Sequence, residues 1–328
     1  MKIKLHIGAN KTGSSAIQRF IRENLNNFQK HGITIPDTRL NDTGVVTGEH
    51  SFSFESFFHE DFPGAQLREK LDRLASRGHK EIALSAESLS NMGKTDFFGP
   101  VFSDYDTEVL LYIRRQDDLL LSTWQQWSSK RETNLSDWLE RAKTKIGQWD
   151  SLIRAWAEYV GFEKIHVRVF ERSEMKNQNI AHDAFDFFFK DQSQDEFDFS
   201  IGEVNPSFSD LIVPLVSGNN AIFQTTHDNE FYHLVRELTG DEYIGKKRIS
   251  LITEKERLLL LKSYEDCNEW VREKYFPNKK SLFAPLDHSK YRYLSKEGML
   301  FEQMRFVTAM MSGIGKRLLL QNLNGEAK

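Results

Sequence analysis

Lys11 stands in a run of small and hydroxylated residues, Gly8-Ala9-Asn10-Lys11-Thr12-Gly13-Ser14-Ser15, and that company gives it chemistry. A turn of small residues that runs into a helix start presents several backbone N–H groups to one point. With a cation beside them they form a site for an anion, most often phosphate. The run is not the nucleoside-triphosphatase signature Gly-x-x-x-x-Gly-Lys-Ser/Thr. Gly8 and Gly13 have its separation, but Ser14 stands where that lysine belongs, and Lys11 comes two residues before the second glycine. A second cationic element, Arg114-Arg115, follows the apolar run Val109-Leu110-Leu111-Tyr112-Ile113 directly. An arginine at the C-terminal end of a strand points into the crevice where α/β folds bind ligands, and its planar fork suits phosphate oxygens. Ser122 falls about two turns along the helix that follows, where its hydroxyl could join Arg114 on a second phosphate. Two separated anion sites imply a ligand with phosphates at both ends of a nucleoside.

These residues need a strand before each of them. Ile3, Leu5 and Ile7 alternate with polar residues, then Ala16, Ile17, Phe20, Ile21, Leu25 and Phe28 recur at helical spacing. Further strands are expected at 32–36, Glu81–Ser85, Thr107–Ile113 and Lys164–Phe170. Helices are expected around 51–58, 65–77, 116–130, with Leu120, Trp124 and Trp127 on one stripe, and 152–159. The strand–helix rhythm predicts a central parallel sheet flanked by helices. From about Ala181 helices take over: 181–189, 208–216, 228–238, 253–274 and 296–320, with breaks at Asn205-Pro206 and Pro277-Asn278. The expected organisation is one α/β domain over 1–320, with a core at 1–190 and a helical C-terminal half at 191–320, followed by a frayed tail at 321–328.

Composition narrows the classes of function. The chain has 328 residues, enough for a sizeable core, and its net charge of −4 gives no global basic field of the kind a nucleic-acid binder carries. A local basic pocket for a small anion stays compatible with that charge. Cys267 is the one cysteine, which excludes an internal disulfide and a cysteine-based metal cluster and fits a reducing compartment. No run of eighteen apolar residues predicts a membrane span, and Met-Lys-Ile-Lys-Leu-His enters the first strand without an apolar leader, so the expected location is cytoplasmic.

Taken together, the two anion elements resemble those of PAPS-dependent sulfotransferases (PAPS is 3′-phosphoadenosine 5′-phosphosulfate). The 5′-phosphosulfate loop of that family, Lys-Ser/Thr-Gly-Ser/Thr-Ser/Thr, is matched by Lys11-Thr12-Gly13-Ser14-Ser15. Its 3′-phosphate motif, an Arg at a strand end, an Asp four residues later and a Ser eight residues later, is matched by Arg114, Asp118 and Ser122. Val167-Arg168-Val169-Phe170-Glu171-Arg172, Asn205-Pro206-Ser207 and Asp266-Cys267-Asn268 look like bacterial members. The resemblance covers roughly residues 1–210 and implies a P-loop-like fold, PAPS as co-substrate and sulfuryl transfer without a metal. It implies that Lys11 neutralises the leaving oxygen. Thr12, Gly13, Ser14 and Ser15 would hold the 5′-phosphate, and Arg114 with Ser122 the 3′-phosphate. The sequence departs from the family's animal cytosolic members in carrying Ala16 where they have a Trp, and in lacking their late Arg-Lys-Gly element, for which Gly245-Lys246-Lys247-Arg248 is a basic substitute. Their catalytic His is replaced at the matching place, Ser85-Ala86-Glu87, by a carboxylate. Glu87 is therefore the first choice of base and His50, in Gly48-Glu49-His50, the second. Some carbohydrate sulfotransferases use glutamate, which turns the expected acceptor toward a glycan or a polysaccharide precursor.

Plainer readings stand beside these. Asp118 reads equally as a first-turn acid that favours the helix dipole, Glu87 as a helix cap, and Trp124, Trp127 and the Phe185–Phe189 cluster as core. Phe170 could stack on adenine or pack in the core. Two other functions fit the same loop: a P-loop kinase or nucleoside triphosphatase, and a non-catalytic protein that binds a nucleotide or a sugar.

Overall fold

The computed structural model describes residues 1–58, 63–190, 192–200, 210–243 and 249–325. Asn205-Pro206-Ser207 and Gly245-Lys246-Lys247-Arg248 lie outside the described residues, as do 326–328 of the expected tail.

The five expected strands form one parallel sheet: β1 (Lys2–His6), β2 (Ile33–Thr34), β3 (Glu81–Ser85), β4 (Asp106–Ile113) and β5 (Ile165–Val169), in the spatial order β2-β3-β1-β4-β5. β1 pairs in register with β3, His6 against Ser85, so these two ends finish level, and with β4, His6 against Leu110, so β4 runs on beyond them to Ile113. After β1 the chain moves to one edge of the sheet, and after β4 it moves to the other. The C-terminal ends of β1 and β4 therefore flank a topological switch point, where an open α/β sheet leaves a crevice.

Burial of both faces explains why β4 reads as a continuous apolar run. Leu110 and Tyr112 face a layer built from α1 (Ser14–Glu23) and the helix Ile180–Phe188, with Ile17, Phe20, Ile21, Phe185, Phe188 and Phe189 in one buried cluster. Val109, Leu111 and Ile113 alternate with them and are buried as completely. The helices Pro63–Ser76, Met92–Phe102 and Trp149–Val160 form a second packed group, in which Phe102 meets Phe54 and Trp156. The helix Met92–Phe102 has no periodic signal in the sequence because Gly93, Gly99 and Pro100 interrupt it. At Gly99 a Cβ would lie 2.2 Å from the Tyr159 ring, so the glycine is what lets the two helices approach.

Two compact units make up the chain. The first comprises Met1–Arg115, Gly147–Val204 and Glu265–Phe283, and holds the sheet. The second comprises Gln116–Ile146, Asn205–Tyr264 and Ala284–Lys328. The expected 253–274 helix is in fact two, Glu254–Lys262 and Glu265–Tyr275, and the break at Ser263-Tyr264 coincides with the boundary between units. Ser263 turns its hydroxyl onto Leu260 O, and buried Tyr264 donates to Ile146 O at 2.7 Å, which fixes the break. Within the second unit, Trp124 packs on Trp138 with Leu120, Leu139, Val213 and Leu260. Trp127 of the same expected stripe is only half-buried. The last helix runs Lys296–Gly325, past the expected end at Leu320.

Candidate functional site

The loop after β1 is built by two backbone positions that ordinary residues avoid. Gly8 has φ +100°, and a Cβ there would lie 3.1 Å from the Glu87 Cα, so the loop passes directly over the residue that follows β3. Gly13 has φ +84° and is the N-cap of α1, where it has no side chain to cap with. The first turn, Ser14-Ser15-Ala16-Ile17, carries no acid, so the positive end of the helix has no anion of its own. Lys11 itself has φ +64°, a left-handed conformation that costs a lysine on the order of 1 kcal/mol and tends to persist where a site requires it. Hydrogen bonds to neighbouring strands hold the loop: Ala9 N donates to Tyr112 O at 3.0 Å and Tyr112 N to Gly8 O at 2.7 Å.

Three of the charged residues singled out in the sequence meet here. The Arg114 guanidinium reaches from the end of β4 and donates Nη1 to Lys11 O at 2.8 Å. Its carbonyl accepts from Trp149 Nε1 at 3.2 Å, and its guanidinium lies 5.8 Å from the centre of the Phe170 ring. Phe170 also lies against Gly13, where a Cβ would come within 2.8 Å of its edge. Burial and the neighbouring Arg114 charge push the Lys11 ammonium down to about 8, against the pull of the Glu87 carboxylate. Burial raises Glu87 above the usual carboxylate range, helped by Glu49 and opposed by a Ser14 hydrogen bond and the Lys11 charge. The Ser14 hydroxyl has one proton and faces two acceptors, Ala9 O at 3.2 Å and the Glu87 carboxylate.

The remaining candidates fall in different places. Thr12 is fully buried and donates to Ala9 O at 2.5 Å, so its hydroxyl proton is spent inside the loop, whereas Ser15 is exposed at the helix start. His50 is fully buried: its Nδ1 accepts from Ser85 N at 3.1 Å, and its Nε2 meets Pro36 O at 3.0 Å. A carbonyl accepts only, so Nε2 carries the proton and both ring nitrogens are occupied. Burial holds the imidazole neutral by lowering its pKa. This corrects the second choice of base: His50 clamps the segment before the helix Ser51–Phe58 to the end of β3, where it leaves no nitrogen to take up an acceptor's proton. His6 is a second buried imidazole beneath the loop, bonded through Nδ1 to Ser85 Oγ at 2.8 Å and pushed down to about 3 by burial. Ser122 lies on the helix Gln116–Gln126 in the second unit, and its assignment rests on its spacing from Arg114. Asp118 accepts from the Tyr291 hydroxyl at 2.8 Å within that unit.

Two residues of the site escaped the sequence. Trp149 fixes the Arg114 carbonyl from 35 positions away, a separation that leaves no local signal. Glu49 acts on Glu87 because the His50 clamp brings its segment to the end of β3.

Fold and site together define an α/β protein with a cationic strand-to-helix loop at the switch point of its sheet. No family model matches the chain, and no curated protein does. Among solved structures it is similar to a sulfotransferase from Alicyclobacillus acidocaldarius, with 19% identity over 61% of this chain and 85% of that one and a TM-score of 0.39. It is also similar to the sulfotransferase domain of the Synechococcus PCC 7002 olefin synthase, with 9% identity over 80% of this chain and 94% of that one and a TM-score of 0.32. Likeness of this extent bears on neither activity nor ligand, and the functional reading rests on the site's own residues.

Proposed function

We propose that the chain transfers a sulfuryl group from PAPS to a hydroxyl of a small-molecule or glycan acceptor, a carbohydrate by preference. The observation that carries this reading is the meeting of Lys11, Glu87 and Arg114 at the C-terminal edge of the sheet, around an uncapped helix start. In-line transfer needs little covalent help: the acceptor oxygen bonds to sulfur as the bond from sulfur to the bridging phosphate oxygen breaks. Charge then collects on the leaving phosphate, which the Lys11 ammonium and the N–H groups at the start of α1 neutralise. The acceptor's proton passes to Glu87, whose raised pKa strengthens it as a base relative to an ordinary carboxylate. Ser14 and Ser15 would hold the 5′-phosphate with those N–H groups, and Thr12 and Gly13 would shape the loop. Arg114 takes the 3′-phosphate, and the family motif adds Ser122. The leaving group is already a phosphate, so the step calls for no metal.

Titration calorimetry with 3′,5′-bisphosphoadenosine and with adenosine monophosphate tests the donor site. The bisphosphate is expected to bind at least about tenfold more tightly, and equal affinities would overturn the reading. Turnover with sulfur-labelled donor and a panel of sugars tests the chemistry. Glu87→Gln should lower kcat roughly 10²–10⁴-fold without a comparable loss of bisphosphate affinity. Magnesium-dependent ATP binding would favour the kinase reading instead. Tight bisphosphate binding with no sulfated product from any acceptor would favour the non-catalytic one.

A further inference from the structure

The helix Lys296–Gly325 shows one stripe of side chains to its own unit and a neighbouring stripe to solvent. Inward, Phe306 is buried with Tyr243 and Val235, and Met299, Ala309 and Met310 pack beside it. Gly313 lies so close to the helix Glu230–Thr239 that a Cβ would come 2.6 Å from Leu238 O. Arg317 Nη1 reaches Glu237 at 2.8 Å. About 100° round the helix, Leu300, Met304, Val307, Met311, Ile314 and Leu318 are each between 46% and 69% exposed, with Phe301 beside them. Leaving seven large apolar side chains in water on one face is costly for a soluble chain.

The spacing of that stripe says what covers it. The intervals are 4, 3, 4, 3 and 4 residues, the a/d seam of a helix that packs knobs into holes on another helix. The same sequence of intervals reads identically from either end. A two-fold axis level with Ala309 therefore lays the seam on an antiparallel copy of itself. Leu300 then faces Leu318 of the second copy, Met304 faces Ile314, and small Val307 faces the long, adaptable Met311. Thr308, Ser312 and Gly315 beside the seam leave room for the incoming side chains, and a Cβ on Gly315 would meet nothing within 4 Å. A standard stable interface buries about 800 Å² per partner, and these large side chains, each about half-exposed or more, are a substantial part of that. A lipid surface fits less well, since a membrane-lying helix carries a polar face rich in Lys and Arg. Here the described side chains include only Lys296, Arg305, Lys316 and Arg317, and Arg305 and Arg317 are engaged with Glu302 and Glu237. We propose that this seam pairs with the same seam of a second copy in an antiparallel helix contact, so that the protein is a two-fold dimer. The inference is independent of the nucleotide reading.

Sedimentation velocity on the full chain at micromolar concentrations should find a dimer. Met304→Glu with Met311→Glu places two charges in the seam and should raise the dimer dissociation constant about a hundredfold or more. Both positions are exposed, so the circular dichroism spectrum should not move. Orientation is read by cross-linking, for which buried Cys267 is a silent background. A mixture of Leu300→Cys and Leu318→Cys chains should form the mixed disulfide, and neither alone should cross-link. A monomeric parent chain, or a dimer that survives both glutamates, would overturn the proposal. So would self-cross-linking of Leu300→Cys alone, which reports a parallel pair. A monomeric chain that pellets with phosphatidylserine–phosphatidylcholine vesicles and loses that binding in the double variant would overturn it in favour of lipid.

Discussion

Lys11 is the residue on which the site's charge turns. On the proposed reading its ammonium holds an anionic donor, yet burial and Arg114 bring it down to about 8 in the free protein. Below about pH 8 the amine is charged and affinity is full; above it, affinity for 3′,5′-bisphosphoadenosine should fall by about tenfold per pH unit. Calorimetry from pH 6.5 to 9.5 measures this, and binding near the midpoint should take up a proton. Lys11→Arg, which stays charged throughout, should flatten the profile. An unchanged slope in that variant would assign the titration elsewhere. Glu87 and His50 show the opposite fates of two candidate bases. Both are shifted chiefly by burial, but Glu87 is only partly buried and touches the loop, whereas both His50 nitrogens are spent on backbone groups.

At the scale of elements, the loop works because a strand, a turn and a helix are held at one angle. Gly13 is the hinge of that arrangement. Its φ of +84° suits glycine alone, and a Cβ would meet Ile180 Cδ1 at 2.6 Å and Phe170 Cε2 at 2.8 Å. Gly13→Ala should therefore destabilise the protein by about 1–3 kcal/mol in urea unfolding and weaken bisphosphate binding more than tenfold. Retained affinity would mean that α1 can start without the tight turn. The Gly13–Ser15 segment was legible in the sequence because its chemistry is local: small residues, a strand before and an amphipathic helix after. The same holds for β4, whose Val109–Ile113 run announced burial on both faces. The helix Met92–Phe102 was not legible, since it is stabilised by what packs on it and its own residues oppose it.

The whole molecule brings in contacts that no local pattern encodes. Neither compact unit is a continuous piece of chain, because the sequence passes between them repeatedly. In the second unit a buried pair, Arg257 with Asp117, joins residues 140 apart, and Arg257 also donates to Ser250 Oγ at 3.1 Å and lies 3.8 Å from the centre of the Tyr291 ring. Removing Arg257 takes this ion pair away from a fully buried carboxylate. Arg257→Ala should cost about 3–5 kcal/mol in urea unfolding, and Arg257→Met combined with Asp117→Leu should recover most of it. A single variant within about 0.5 kcal/mol of the parent would show that water reaches the pair.

Alternation of apolar residues, a glycine-rich turn and a cation at each of two strand ends determined by themselves that this chain builds a parallel sheet with a cationic strand-to-helix loop. Each of those is a near-neighbour property of the backbone, decided within a few residues. Which carboxylate or imidazole stands ready at the loop was decided only by the tertiary structure. Proton affinity depends on solvent lost and on partners gained, and these arrive from Pro36 and Ser85 for His50 and from Ser14, Glu49 and Lys11 for Glu87, scattered along the chain. The face of the last helix followed the same division. That it is a helix was legible in the sequence, but which stripe turned inward shows only in the packing of Phe306, Met310 and Gly313 against their own unit.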